Sequence, residues 1–210
     1  MTVLDRLLAD VRACRLCADQ LPLGPRPVLI LRPGARLLIA GQAPGTKVHE
    51  SGIPWNDRSG DRLREWLGLD RQRFYNDPRI AILPMGFCYP GRDAHGGDKP
   101  PRPECAPHWR ARLMAQLPRL ELVLAIGGYA QRWHLGPRVK PNLWQTVAAW
   151  REYQPEVVPL PHPSWRNTAW LRRHPWFEAE VVPMLRARVA ALLSDEELKP
   201  ARASARARPR

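Results

Sequence analysis

The sequence predicts an α/β fold: a three-layer α/β/α sandwich around a central four-stranded parallel sheet. Three observations lead there. Short apolar runs recur at 36–40, 79–83, 120–126 and 157–160, each of a length suited to a buried strand. Helix-like segments fall between them, the order that brings successive strands into a parallel sheet covered on both faces. The first, third and fourth runs stop at glycine or proline turns, Gly41–Gly45, Gly127-Gly128 and Pro161-His162-Pro163. Such turns sit at the carboxyl ends of strands, where open α/β sheets hold their ligands.

The elements follow in order. Residues 3–13 form a helix with Val3, Leu4, Leu7, Leu8 and Val11 on one stripe, ending at Cys14-Arg15-Leu16-Cys17. Residues 20–35 are a Pro-rich connection with a short extended piece at 28–31. The first strand, 36–40, is followed by a polar loop and a helix at 61–67, and Asp70 can cap a further helical turn at 71–75. The second strand is 79–83, and Met85-Gly86-Phe87-Cys88 leaves it. Residues 89–107 read as loop and 107–117 as helix. The third strand, 120–126, leads through its glycine turn into a helix at 129–135, and another helix spans 142–151. After the fourth strand, 157–160, a last helix covers 176–194, with Pro183 kinking or restarting it. No repeat is visible. Residues 1–195 make one domain. Residues 196–210, including the low-complexity run KPARASARARPR from Lys199, make a basic tail without a fixed fold.

The chain has 210 residues, 44% of them hydrophobic, enough for one domain with a sizeable core. No stretch of 18 apolar residues exists and the first residues are amphipathic, so a cytoplasmic protein without a membrane span is expected. A net charge of +13 suits a polyanionic partner, most simply nucleic acid, although arginine-rich codon usage gives the same sign. Twenty-four prolines and nine tryptophans point to short elements, rigid loops and amphipathic aromatic anchors.

The cysteines are Cys14, Cys17, Cys88 and Cys105. A lone CxxC is ambiguous among metal, redox and accident. Four thiolates can complete a sulfur site for either a [4Fe–4S] cluster or zinc, or remain unligated. Disulfides do not suit the expected compartment.

The chain is organised around Arg36 to Gly68, which contains GQAPG and then GIPWNDRSGDRL. One loop system there offers backbone amides, an aromatic face, two carboxylates and His49. A second piece, His162-Pro163-Ser164-Trp165-Arg166-Asn167-Thr168, follows the fourth strand. In order, these pieces resemble motifs 1 and 2 of the uracil-DNA glycosylase superfamily. The first is similar to the iron–sulfur branch, roughly GEAPG…GRPF…G, and to the type b branch, roughly GLAPA…GDRSGD. Together they bracket residues 10–190.

The resemblance implies an α/β/α sandwich and a DNA glycosylase of base-excision repair that hydrolyses the N-glycosidic bond of uracil. Its partner is DNA containing uracil or another deaminated base, met as a monomer. It also implies a [4Fe–4S] cluster on Cys14, Cys17, Cys88 and Cys105, with zinc as the alternative. Such chemistry needs a flipped base, an aromatic platform, a donor to the departing base and often a carboxylate for the cationic sugar. Trp55 matches the stacking aromatic, with a core tryptophan under the loop as the bland alternative. The backbone of Gly41, Gln42, Ala43, Pro44 and Gly45 would meet base or phosphate. Gln42 stands where the iron–sulfur branch has glutamate, and Asp57 matches the type b aspartate that positions water and stabilises the oxocarbenium ion. Asp61 suits a helix N-terminus, and His49 is a spare acid–base group.

His162 matches the histidine that donates to the base carbonyl, with a structural His-Pro turn as its alternative. Ser164 would bond a phosphate, and Trp165, Arg166 and Asn167 would face the minor groove, with Arg58 among further basic contacts. Pro84 stands where the iron–sulfur branch has a base-reading asparagine, so hypoxanthine and xanthine join uracil as substrates. The alternative function is a catalytically weakened module of the same fold that binds damaged or single-stranded DNA. A further rival is a related protein that crosslinks to its product.

Overall fold

The computed structural model describes residues 1–94 and 96–194. The basic tail expected at 196–210 lies outside them. Four strands form one sheet in the order β2-β1-β3-β4: β1 (Leu37–Ala40), β2 (Ile80–Ile82), β3 (Leu122–Ile126) and β4 (Val157–Leu160). Every pairing is parallel, with Leu37 beside both Ile80 and Leu122, and Val123 beside Val157. All strand residues are buried, which is why the sequence reads as continuous apolar runs rather than alternation. Pro159 is tolerated in β4 because that strand is an edge, where a missing N–H breaks no ladder.

The pleat sends alternate residues to opposite faces. Leu37, Ile39, Leu122, Leu124, Val158 and Leu160 enter one core cluster with Leu63, Phe74, Phe177 and Leu185. Leu38, Ala40, Val123, Ala125 and Val157 enter the other with Val11, Trp109, Leu113 and Ala130. Helices α3 (Arg58–Leu67), α4 (Arg71–Asn76), α7 (Leu143–Ala148), α8 (Thr168–Arg173) and α9 (Val182–Leu192) contribute to the first cluster. Helices α1 (Val3–Arg12), α5 (Cys105–Met114) and α6 (Gly128–Leu135) contribute to the second. The expected three-layer sandwich is therefore present.

Several boundaries differ from the sequence reading. A helix, α2 (Thr46–Ser51), occupies part of the expected polar loop, closed by Gly52 at φ 69°. Helix α3 starts three residues before the expected 61, because Asp57 caps it by accepting from the Gly60 N–H at 2.8 Å. Cys105 opens α5 rather than lying in a loop. Pro183 lies in the first turn of α9, where it needs no N–H partner, after a π-turn at Phe177–Val181. Helix α8 is an addition to the sequence reading: it follows a 3₁₀ turn (Trp165–Asn167) directly and only three residues separate it from the π-turn, so no break in the sequence sets it apart. Residues 28–31 do run extended: Ile30 exchanges both backbone hydrogen bonds with Ile82, covering the open edge of β2.

The chain leaves β1 toward β2 on one side and later returns to place β3 on the other. A crevice opens at such a reversal, outside the carboxyl ends of the strands. No helix among the described residues is long and apolar enough to cross a membrane.

Candidate active site

The crevice is a cavity of about 450 Å³. Its wall includes the loop Gly41–Gly45 after β1, Trp55 and Asp57 before α3, Pro84 after β2, and His162, Ser164 and Asn167 after β4. Loops from three strand ends thus meet, and residues 105 positions apart in sequence face one space.

Trp55 is held in an uncommon conformation, φ 57°, the left-handed region that non-glycine residues seldom occupy. Three features over-determine it. Its carbonyl accepts from Arg64 Nη1 at 3.2 Å, and Arg64 is itself buried and bonded to Tyr75 Oη. Tyr75 Oη donates to Pro54 O at 2.8 Å. The third feature is space: a Cβ on Gly41 would stand 2.8 Å from the Trp55 ring, and one on Gly60 would stand 1.7 Å from the Trp55 carbonyl oxygen. Both glycines are required by that close approach. The indole is half-buried and lies 5.4 Å from the His162 ring, inclined at 31°. A flat apolar face therefore borders the cavity next to an imidazole.

His162 follows β4 on a turn braced by Asn167, whose Nδ2 donates to the His162 carbonyl at 2.7 Å. Enclosure of the ring pushes its pKa below the usual histidine value, against the opposing pull of the Asp57 charge. The neutral imidazole is thereby favoured, a form that can donate one N–H to a cavity ligand. Asp57 is tethered through Oδ1 to Gly60 N at the start of α3, while its side chain faces the cavity. Arg62 joins the two motif loops, with Nη1 within 3.3 Å of Ser164 O and Thr168 Oγ1.

Of the remaining expected residues, Gln42 lines the cavity but its amide is turned aside: Nε2 donates to Lys99 O at 3.3 Å. Ser164 and Asn167 line it too, and Asn167 spends its amide on the turn. Arg166 lies at the mouth, with Nη2 donating to Gly96 O at 3.1 Å. Trp165 is 77% exposed beside it, the most exposed aromatic at the mouth. Two residues fall elsewhere. His49 is buried on α2 with its ring 6.1 Å from Tyr89 and is not in the cavity wall; helix formation at 46–51 turns it into the protein. Arg58 is exposed in the first turn of α3 and also outside the wall. Asp61 pairs with Arg64 in the first turn of the same helix.

The sequence reading missed Ser59 and Asp98, which line the cavity together with Arg92. The last two come from the Pro- and Gly-rich segment after β2, where no motif marks them. Burial raises the pKa of Asp98, with Arg92 and Arg166 opposing and the charges of Asp57 and Asp93 reinforcing.

A second, smaller pocket is lined by all four cysteines together with Trp109 and Arg102. Trp109 Nε1 donates to Cys14 Sγ at 3.4 Å. Burial pushes Cys88 up to about 11 and Cys105 up to about 12, with the neighbouring thiols adding to the rise in both. Among the described residues, no three His, Cys, Asp or Glu side chains are arranged to hold a single metal ion. Arg110 of α5 is fully buried, and its Nη1 donates to Leu83 O and to Pro84 O at 3.0 and 3.1 Å, the latter in the cavity wall.

A solution NMR structure of a candidate uracil DNA glycosylase from Methanosarcina acetivorans is 18% identical, covering 76% of this chain and 94% of its own, with a TM-score of 0.43. The family model of the uracil DNA glycosylase superfamily matches residues 30–186, which include β1–β4, both motif loops and the whole cavity wall apart from Val28. By that match over more than half its length, the chain belongs to the uracil DNA glycosylase superfamily.

Proposed function

We propose that the protein is a DNA glycosylase of base-excision repair that hydrolyses the N-glycosidic bond of uracil and other deaminated bases in DNA. One observation carries the reading: Trp55, Asp57 and His162, an aromatic face, a carboxylate and a neutral imidazole, border one cavity at the strand ends. A base flipped from the stack would lie against Trp55. As the C1′–N bond breaks, its electron pair passes to the base and the sugar becomes an oxocarbenium ion. His162 donates its N–H to the base carbonyl on which that charge gathers. Asp57 faces the sugar, stabilises its positive charge and orients the water that adds to C1′. The proton released by water ends on the departed base or in solvent. Trp165 and Arg166 at the mouth suit the DNA side: the exposed indole can fill the gap in the stack, and the guanidinium meets phosphate.

We also propose that Cys14, Cys17, Cys88 and Cys105 hold a [4Fe–4S] cluster. Four thiols line one pocket, the donor set that such a cluster takes, with zinc as the alternative. Bound there, it would join the end of α1 to the segment after β2 and to the start of α5, a structural role.

The test is single-turnover base release from oligonucleotides carrying uracil, hypoxanthine or xanthine, followed by alkaline cleavage of the abasic site. Cleavage at the modified base that disappears in Asp57→Ala and His162→Ala supports the enzyme. Absence of cleavage on every substrate, with tight DNA binding retained, gives the binding module instead.

A further inference from the structure

The cavity wall holds one carboxylate to which the reaction above gives no task. Asp98 lies after β2 beside Arg92 and Gly96, which also line the cavity, and two backbone bonds, Asp93 N to Gly97 O and Lys99 N to Gly91 O, tie the residues around it into a strap. The strap is fixed to both motif loops, by Gln42 Nε2 on Lys99 O and by Arg166 Nη2 on Gly96 O. Asp98 Oδ2 would stand 3.5 Å from a Cβ on Gly45, so the carboxylate reaches the loop after β1. Among the described residues it has neither a hydrogen-bond nor an ion-pair partner, although Arg92 and Arg166 lie near enough to act on it through space.

The other amide and carboxylate side chains of the cavity wall already hold a bond. The Gln42 amide N–H is bound to Lys99 O. Pro84 has no N–H, and its carbonyl accepts from Arg110. Asn167 braces His162, and Asp57 is tethered to Gly60 N. Asp98 remains as an unpaired acceptor.

We propose that Asp98 determines substrate specificity by accepting a hydrogen bond from the Watson–Crick-edge ring N–H of the flipped base, a role that rests on the glycosylase reading above. Deamination of cytosine and of adenine has one consequence in common. Both parents present a ring nitrogen that accepts a hydrogen bond at that edge, whereas uracil and hypoxanthine present an N–H there. A carboxylate facing that edge meets a donor in either product and a lone pair in either parent. Rejection of cytosine and adenine then follows from leaving two acceptors opposed without a proton between them. Guanine already carries an N–H at that edge, so this contact does not separate it from xanthine. The substrate class is bases with a lactam N–H at that edge, purine as well as pyrimidine, with no side-chain amide needed at Pro84. Asp98 is exposed and lines the cavity, so an N–H donor of the base can reach its carboxylate by displacing water.

The test pairs a residue change with a substrate change. Release of uracil and of N3-methyluracil is measured under single turnover with the full chain, Asp98→Ala and Asp98→Asn. Methylation removes the N–H and leaves the glycosidic bond and both carbonyls intact. Loss of a hydrogen bond to a charged acceptor should slow uracil release roughly 10- to 100-fold in Asp98→Ala. N3-methyluracil release should be unchanged or faster, so that the wild-type preference for uracil collapses. Asp98→Asn, with an acceptor oxygen of the same reach, should retain part of that preference. Equal slowing on both substrates would place Asp98 at the sugar and overturn the proposal, as would no change on either. If the wild-type chain releases no base, the glycosylase reading fails separately. Binding to the same two oligonucleotides then decides the matter: a preference for uracil that vanishes in Asp98→Ala sustains the role, and its absence ends it.

Discussion

Replacing Gly60 with alanine adds one methyl group at the third residue of α3, against the backbone of the stacking residue. On helix propensity alone this change should stabilise α3 by up to about 1 kcal/mol. Local geometry opposes it. The new Cβ would stand 1.7 Å from Trp55 O, 2.6 Å from its carbonyl carbon and 2.9 Å from its Cβ, whereas real Cβ contacts essentially never fall under 3.0 Å. The Trp55 carbonyl must therefore retreat by about 1.3 Å. It is backbone, bonded to buried Arg64 and already at φ 57°, so no flexible side chain can give way. Overpacking of this kind costs about 1–3 kcal/mol, which outweighs the propensity gain. The same movement carries the indole away from its place 5.4 Å from His162. A misplacement near 1 Å costs roughly 100-fold in rate. Thermal melting and single-turnover release of uracil measure the two effects on one preparation of Gly60→Ala. A variant with wild-type melting temperature and wild-type rate would refute the argument, because it would mean that Trp55 need not occupy this position.

Three further outcomes are expected. Asp57→Asn keeps a good helix cap, so its stability should match wild type within about 0.5 kcal/mol. Its base release should fall steeply with DNA affinity retained; a parallel loss of melting temperature would assign Asp57 to folding alone. His134 accepts from Arg110 and is held down to about 3 by burial first and by the Arg110 charge second. Above an unfolded value of 6.5 both states are neutral, whereas below it only the unfolded chain takes up the proton. Stability should therefore fall with acidification, by about 2 kcal/mol on going from pH 7 to pH 5. Urea titrations should show that slope flattened in His134→Gln, and an unchanged slope would remove His134 as its source. Finally, protein prepared anaerobically should carry iron and acid-labile sulfide, with visible absorption lost in Cys88→Ser; iron-free protein from such a preparation would remove the cluster.

The fold class was legible along the chain. Four apolar runs with helices between them admit few arrangements other than a covered parallel sheet, because backbone pairing and apolar burial act on every residue of each run. The sequence also marked both motif loops, since glycine, proline and a histidine at strand ends leave a local signature. Tertiary structure decided what those loops share. The indole of Trp55 stands over Gly41, and its carbonyl over Gly60, only because α3 returns the chain beneath the loop. His49 looked available in a polar stretch, yet a short helix rotates it inward, a result of packing that no local pattern announces. Asp98 sits in a segment without periodicity, and its place in the wall depends on two long-range bonds, to Gln42 Nε2 through Lys99 O and to Arg166 through Gly96 O. Periodicity and turn chemistry act between near neighbours and are written along the chain. Convergence on a cavity depends on contacts between distant segments, which exist only once the sheet has brought its strand ends together.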